Sequence, residues 1–201
     1  IACCDRAPNF TLTDIDGKTF SLSDFKGRVV ILNFLTSRCT ACIHEAQQIK
    51  AVRNEFGEEL VMISLSIALD YDTNERLREF RDKYDINWIL ARDTENVFGS
   101  YNVPRIPMVF VIDKWSDIRY EHVDWFQELP SMLIENVTEL LEKTTDVNAD
   151  GKVDQNDVSI IANIFSAEIG ETGYDRKMDL DDDGTIDMRD VAKVAKDSEE
   201  T

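Results

Sequence analysis

The chain has 201 residues, 43% of them hydrophobic, enough for one large folded unit or two unequal ones. Its formal net charge of −18 is unevenly placed: residues 1–143 carry 24 acidic and 16 basic side chains, residues 144–201 carry 16 and 6. Such a field repels nucleic acid and anionic membrane surfaces, no apolar run approaches the ~18 residues that span a bilayer, and the crowded C-terminal carboxylates need a counter-cation.

The chain starts at Ile1 without Met, from which a removed targeting peptide is expected. Ile1-Ala2-Cys3 reads first as a plain N-terminal tail; the alternative is the end of a bacterial-type lipobox, with Cys3 as the acylated residue. APNFTLTDIDGKTFSLSDFKGR then alternates apolar and polar residues around Asp16-Gly17, which predicts a hairpin. VVILNFL (residues 29–35) is β-branched and almost wholly apolar, the pattern of a strand buried on both faces. TSRCTAC follows, and HEAQQIKAVRNEFGEE reads as a helix with Ala46, Ile49, Val52 and Phe56 on one side and a stop at Gly57. LVMISLSI is a second buried strand, and NERLREFRDKYD an amphipathic helix. NWIL, the helical turn ENVFGSY, the strand MVFVID, a turn at Lys114–Asp117, the strand IRYEHV and the helix PSMLIENVTELLEK complete the series. Strands alternating with helices, closed by an antiparallel pair, predict an α/β layered domain over residues 1–143.

Cys39 and Cys42 stand where a buried strand gives way to a helix. A zinc site would need a second ligand pair, yet the other cysteines, Cys3 and Cys4, are adjacent, and His44 and His122 are the only histidines. A staple across two residues closes too small a loop to add much stability. At a helix N-terminus, free N–H groups and the macrodipole favour a thiolate, so Cys39 is expected to attack and Cys42, one turn inward, to resolve the mixed disulfide.

APNFTLTDIDGKTFSLSDFKGRVVILNF followed by CTAC resembles the thioredoxin-like proteins of the TlpA/ResA type, in the AhpC/TSA-Redoxin superfamily, over residues 7–143. The resemblance implies a thioredoxin-like fold, a redox-active Cys39–Cys42 disulfide and protein thiol or disulfide substrates. It also implies a cis Ile106-Pro107 bond facing the dithiol, which leaves Ile106 backbone groups for an extended substrate chain. Glu45 matches an acidic residue that this group places near the dithiol, and Asn33 falls where cytosolic thioredoxins carry a buried Asp. Glu45 is therefore the candidate general base to Cys42, against the alternative of a solvated first-turn acid. Arg38 replaces the usual Trp before the first cysteine and favours its thiolate, and Thr40-Ala41 leaves the potential anywhere between about −270 and about −120 mV. Thr36-Ser37-Arg38-Cys39 also reproduces the Thr-x-x-Cys of peroxiredoxins. The expected upstream Pro is missing, however, and Pro107 stands where their Arg would be.

Near the C-terminus, DVNADGKVDQND (residues 146–157) and DLDDDGTIDMRD (residues 179–190) align with each other 33 residues apart. Each carries acid or amide at positions 1, 3, 5, 9 and 12 and Gly at position 6, a pattern that converges oxygens on a hard cation. The first loop offers Asp146, Asn148, Asp150, the Lys152 carbonyl, Asp157 and, through water, Asp154. The second offers Asp179, Asp181, Asp183, the Thr185 carbonyl, Asp187 and Asp190. Two calcium ions are expected. The repeat resembles the type I dockerin module, a small all-α domain with two EF-hand-like loops, here over residues 144–201. The resemblance implies docking to a cohesin-bearing scaffold, with Gln155-Asn156 and Met188-Arg189 at partner-selecting positions. The second helix reads as short, which leaves packing against the chain's own first domain as the alternative.

The sequence thus points to an extracytoplasmic thiol–disulfide oxidoreductase with a calcium-binding docking tail. The competing readings are a redox-silent thioredoxin fold carried by its dockerin, and a peroxidase.

Overall fold

The computed structural model describes residues 6–199 except 115, 125–127, 142–144, 146, 149–152, 169–173, 175–177 and 182. Cys3, Asp146, Asp150 and Lys152 lie outside the described residues. The chain divides into two compact units, Ile1–Leu141 and Glu142–Thr201.

In the first unit, β1 (Thr11–Thr13) and β2 (Thr19–Ser21) pair as an antiparallel hairpin. Its turn is held by Asp14, whose Oδ1 accepts the Asp16 and Lys18 N–H at 2.9 and 2.8 Å. Gly17 takes a φ of 94°, a conformation that costs a residue without a Cβ little. β3 (Val29–Leu35), β4 (Leu60–Ser66), β5 (Ile89–Arg92), β6 (Met108–Ile112) and β7 (Ile118–Val123) form one sheet in the order β5-β4-β3-β6-β7. β3, β4 and β5 are mutually parallel, and β6 and β7 return antiparallel. The two strands with near-continuous apolar sequence, β3 and β4, are buried at every position and occupy the middle of the sheet.

The helices are α1 (Thr40–Phe56), α2 (Asn74–Tyr84), the single turn α3 (Val97–Ser100) and α4 (Leu129–Leu141). Val29 and Ile31 of β3 pack with Ile49 and Val52 of α1 and with Leu129, Leu133 and Val137 of α4. Leu77 and Phe80 of α2 meet Cys42 and Ala46 of α1. The alternate residues of β3, Val30, Leu32 and Phe34, face a second layer made by Phe10, Leu12 and Phe20 of the hairpin region and by Val97 and Tyr101. Each fully buried Leu or Phe in these layers contributes about 2 kcal/mol of transfer free energy. α1 ends at Gly57, where the half-turn requires a φ of 53°. Buried Arg53 donates from Nη1 to the Gly57 and Leu60 carbonyls at 2.6 and 2.9 Å, placing a cation at the negative end of the helix dipole.

The second unit has α5 (Gln155–Asn163) and α6 (Met188–Glu199) around Ile161, Leu180, Ile186 and Val194. The expected short second helix is not found: α6 runs for 12 residues and α5 for 9. Met188-Arg189-Asp190, assigned from sequence to the loop, already form the first turn of α6. Among the described residues, no helix is long and apolar enough to cross a membrane.

Candidate functional site

Cys39 is the N-cap of α1, in extended conformation at the end of the β3 connection, and Cys42 lies in the first turn of the helix. The two form a disulfide with Cα atoms 5.2 Å apart. Cys39 is half-buried and Cys42 fully buried, so only the first sulfur of the pair comes near the surface. The Cys42 N–H donates to Cys39 Sγ at 3.1 Å, a backbone donor aimed at the sulfur that would carry negative charge after reduction.

Two features of this neighbourhood escape sequence patterns. Asp72, fully buried ahead of α2, accepts the Ser37 N–H at 3.0 Å and the Ser66 hydroxyl at 2.5 Å, and it also accepts the Ser37 hydroxyl. It thereby ties the segment entering Cys39 to the end of β4. The Tyr71 ring is approached by two cations, with the Arg38 guanidinium 4.7 Å and the Arg76 guanidinium 4.4 Å from its centroid. Both Asp72 and Tyr71 come from the loop between β4 and α2, where neither periodicity nor a motif marks them.

The Ile106-Pro107 peptide bond is cis, and Ile106 packs in the same apolar cluster as Cys39 and Cys42. Ile106 makes no backbone hydrogen bond among the described residues. The Pro107 carbonyl accepts the Asp124 N–H at 2.9 Å, and Arg105 Nε lies 2.9 Å from each Asp124 carboxylate oxygen.

Glu45 is not a solvated first-turn acid. It is completely buried, on the stripe of α1 that also carries Cys42, Ala46 and Ile49. Its Oε1 accepts from Asn33 Nδ2 at 2.5 Å, and its Oε2 is buried with no hydrogen-bond partner. Burial pushes its pKa from 4.5 up to about 8; the Asn33 hydrogen bond works downward, and the negative charge of Asp124 adds to the rise. A carboxyl poised there matches a thiol in proton affinity, the condition for efficient transfer between them. Asn33 is itself fixed by Ser64 Oγ, which donates to its Oδ1 at 2.7 Å and accepts from Trp88 Nε1 at 2.9 Å.

In the second unit, the two loops repeat one construction. Asp157 Oδ1 accepts the Val147 and Asn148 N–H at 2.8 and 3.1 Å, and its Oδ2 accepts the Asp154 N–H at 2.9 Å. Asp190, 33 residues on, accepts from Leu180, Asp181 and Asp187 at 2.6, 3.2 and 2.9 Å. Burial disfavours the ionised form of Asp157, yet backbone N–H bonds, chiefly those of Asp154, Asn148 and Val147, outweigh it and hold the carboxyl below its usual range. Asp154 caps α5 by accepting the Asn156 N–H at 2.7 Å, and Asn148 is exposed. Asp179, Asp181 and Asp183 each bring one oxygen within 4.8 Å of the others. Asp179 Oδ1 is buried and has no hydrogen-bond partner, while its Oδ2 accepts from Tyr174 Oη and the Gly184 N–H. An orphaned buried carboxylate oxygen among converging carboxylates fits a hard cation. Thr185 forms a bridge to Glu168. Arg189 reaches over the same acids, pairing with Asp187 at 2.8 Å, Asp181 at 3.6 Å and also Asp183. Met188 beside it is exposed.

Comparison with known proteins agrees with both halves. The model of the AhpC/TSA family matches residues 4–121, and that of the dockerin type I domain matches residues 144–197. The chain is 28% identical over 118 residues to the thioredoxin-like protein YneN of Bacillus subtilis, covering 59% of this chain and 69% of that one. It is 37% identical over 111 residues to the thiol-disulfide oxidoreductase ResA of Bacillus cereus, covering 54% of this chain and 62% of ResA, less than two thirds of its length. Among solved structures, the thioredoxin domain of a thiol-disulfide oxidoreductase from Bacteroides vulgatus superposes with a TM-score of 0.59 at 22% identity, over 68% of this chain and 99% of that one. At that identity the match shows the thioredoxin-like fold.

Proposed function

The chain belongs to the AhpC/TSA family, and from that footing we propose that it is a thiol–disulfide oxidoreductase acting on protein substrates through Cys39 and Cys42. One observation carries this: a formed disulfide at the N-terminus of α1 with one sulfur half-exposed, its partner buried, and a buried carboxyl of raised pKa on the same helix stripe. In the reducing direction, the Cys39 thiolate attacks a substrate disulfide, forming a Cys39–substrate bond and releasing one substrate thiolate. Cys42 then gives its proton to the ionised Glu45, attacks Cys39, and releases the second substrate thiolate as the Cys39–Cys42 bond closes. The oxidising direction runs the same steps backward, with protonated Glu45 returning the proton to the Cys42 sulfur. Ile106 packs in the same apolar cluster as Cys39 and Cys42, and its backbone, which makes no hydrogen bond among the described residues, would pair with an extended substrate segment, with buried Pro107 shaping that edge of the groove.

The C-terminal unit is proposed to bind two calcium ions. Asp179, Asp181, Asp183, Asp187, Asp190 and the Thr185 carbonyl would hold one; Asp146, Asn148, Asp150, Asp154, Asp157 and the Lys152 carbonyl would hold the other. Each ion would supply the positive charge that lets its carboxylates stay together. The dockerin match supports attachment to a cohesin-type partner, with docking onto the chain's own first unit as the alternative, and both units suit an extracytoplasmic setting. A lipid anchor at Cys3 would hold the chain at a membrane surface.

The test is thiol exchange with a protein disulfide such as insulin, by the full chain and by Cys39→Ser. Loss of turnover in the variant is expected. Undiminished turnover would refute the assignment.

A further inference from the structure

Beneath α1, polar side chains run in line through an otherwise apolar layer. Asn33 and Ser64 interrupt the two central strands at the same register, as Cα partners in the β3–β4 ladder. They are 1% and 2% exposed, so neither can turn to water for a missing bond. Trp88, half-buried just before β5, completes the line from the other side.

The indole fixes the direction of every bond that follows. Trp88 Nε1 can only donate, so at 2.9 Å from Ser64 Oγ it makes that oxygen an acceptor. The one hydroxyl proton of Ser64 must then go to Asn33, which requires the amide oxygen to face Ser64, at 2.7 Å. The amide nitrogen is left facing Glu45 Oε1, at 2.5 Å. With the amide turned the other way, Ser64 would receive two donors and have no acceptor for its own proton, a loss of roughly 1–3 kcal/mol in a buried site. Because Oε1 receives an N–H, a proton on the carboxyl sits on Oε2, the oxygen with no other partner.

We propose that Trp88, Ser64 and Asn33 are positioning residues forming a one-way relay, which holds the Glu45 carboxyl so that Oε2 takes and returns the proton of the Cys42 thiol. This rests on Glu45 being the proton acceptor for Cys42. In the resolving step the Cys42 S–H bond breaks and its proton passes to Oε2. The sulfur electron pair forms the bond to Cys39 Sγ, and the Cys39–substrate bond breaks to release a substrate thiolate. The relay leaves Oε1 engaged by the amide and Oε2 free, so the carboxyl presents the same oxygen for proton transfer throughout the cycle.

The experiment is infrared spectroscopy of the oxidised full chain between pH 5 and 10, following the protonated-carboxyl stretch that disappears in Glu45→Gln. Trp88→Phe and Ser64→Ala each release the amide, which can then present its oxygen to the protonated carboxyl. Both variants are expected to shift the band frequency and to move its titration upward by about one pH unit, tenfold in the ionisation equilibrium. The pH profile of thiol exchange should move with it. Ser64→Ala removes a single oxygen atom and serves if Trp88→Phe does not fold. An unchanged band and titration in the folded variants would overturn the relay. If Glu45→Gln instead exchanged thiols with the wild-type pH profile, the link between Glu45 and Cys42 would fall, and with it the proposal at its premise, whatever the band did.

Discussion

Replacing Glu45 by Gln should make the first unit more stable at neutral and alkaline pH. In the unfolded chain this carboxyl ionises at about 4.5; in the folded chain burial raises that to about 8. Between those values the folded state holds a proton that the unfolded state has released. Stability is therefore undiminished below pH 4.5, falls as pH rises, and levels off above about 8. At ~1.4 kcal/mol per pH unit the loss is about 3 kcal/mol by pH 7 and about 5 kcal/mol by pH 9. The introduced amide resembles the protonated acid: its oxygen can still accept from Asn33, and its NH2 group lies where Oε2 was. The variant should match wild type near pH 4 and exceed it by roughly those amounts above. Urea unfolding with the disulfide intact, followed by tryptophan fluorescence, reads the first unit alone because all three tryptophans precede residue 142. Parallel stability profiles for the two proteins from pH 4 to 9 would refute a buried, proton-holding Glu45.

Asp72→Ala removes the acceptor of the buried Ser66 hydroxyl and of two Ser37 donors, so it should destabilise the first unit by about 2–3 kcal/mol. It should also slow exchange at Cys39, measured by unfolding and insulin turnover. Asp190→Ala strands three backbone N–H groups and should cost the second unit about 3 kcal/mol even in chelator, read as amide hydrogen exchange in α6. Calorimetry should find about two calcium ions per full chain. Asp179→Ala, which deletes the orphaned oxygen, should abolish one of them.

The central strands and the dithiol were legible because each depends on local pattern. VVILNFL and LVMISLSI are apolar over whole strands, and Cys39 follows the first of them directly. Glu45 was half legible: a three-residue step from Cys42 places it on the stripe of Ala46 and Ile49, but a single polar residue on a charged helix does not by itself declare which face is buried. Ser64 and Trp88 were not seen because their partnership with Asn33 depends on the register of parallel strands, and sequence periodicity gives each strand's facing without its alignment to a neighbour. Asp72 was hidden for a like reason, since its hydroxyl partners come from the end of β4 and from the connection that leads from β3 to Cys39. The second loop's Met188-Arg189-Asp190 looked like loop because their position follows the cation pattern, whereas the Asp190 carboxylate folds the loop back so that the helix begins there.

The most direct test of the account is the pH dependence of alkylation of the reduced full chain, with the modified sulfur located by mass spectrometry. Cys39 should react first and as a thiolate at pH well below the ordinary thiol value of about 8.5, while Cys42 stays protected. Preferential reaction at Cys42, or a Cys39 that stays unreactive until pH rises past about 8.5, would contradict it.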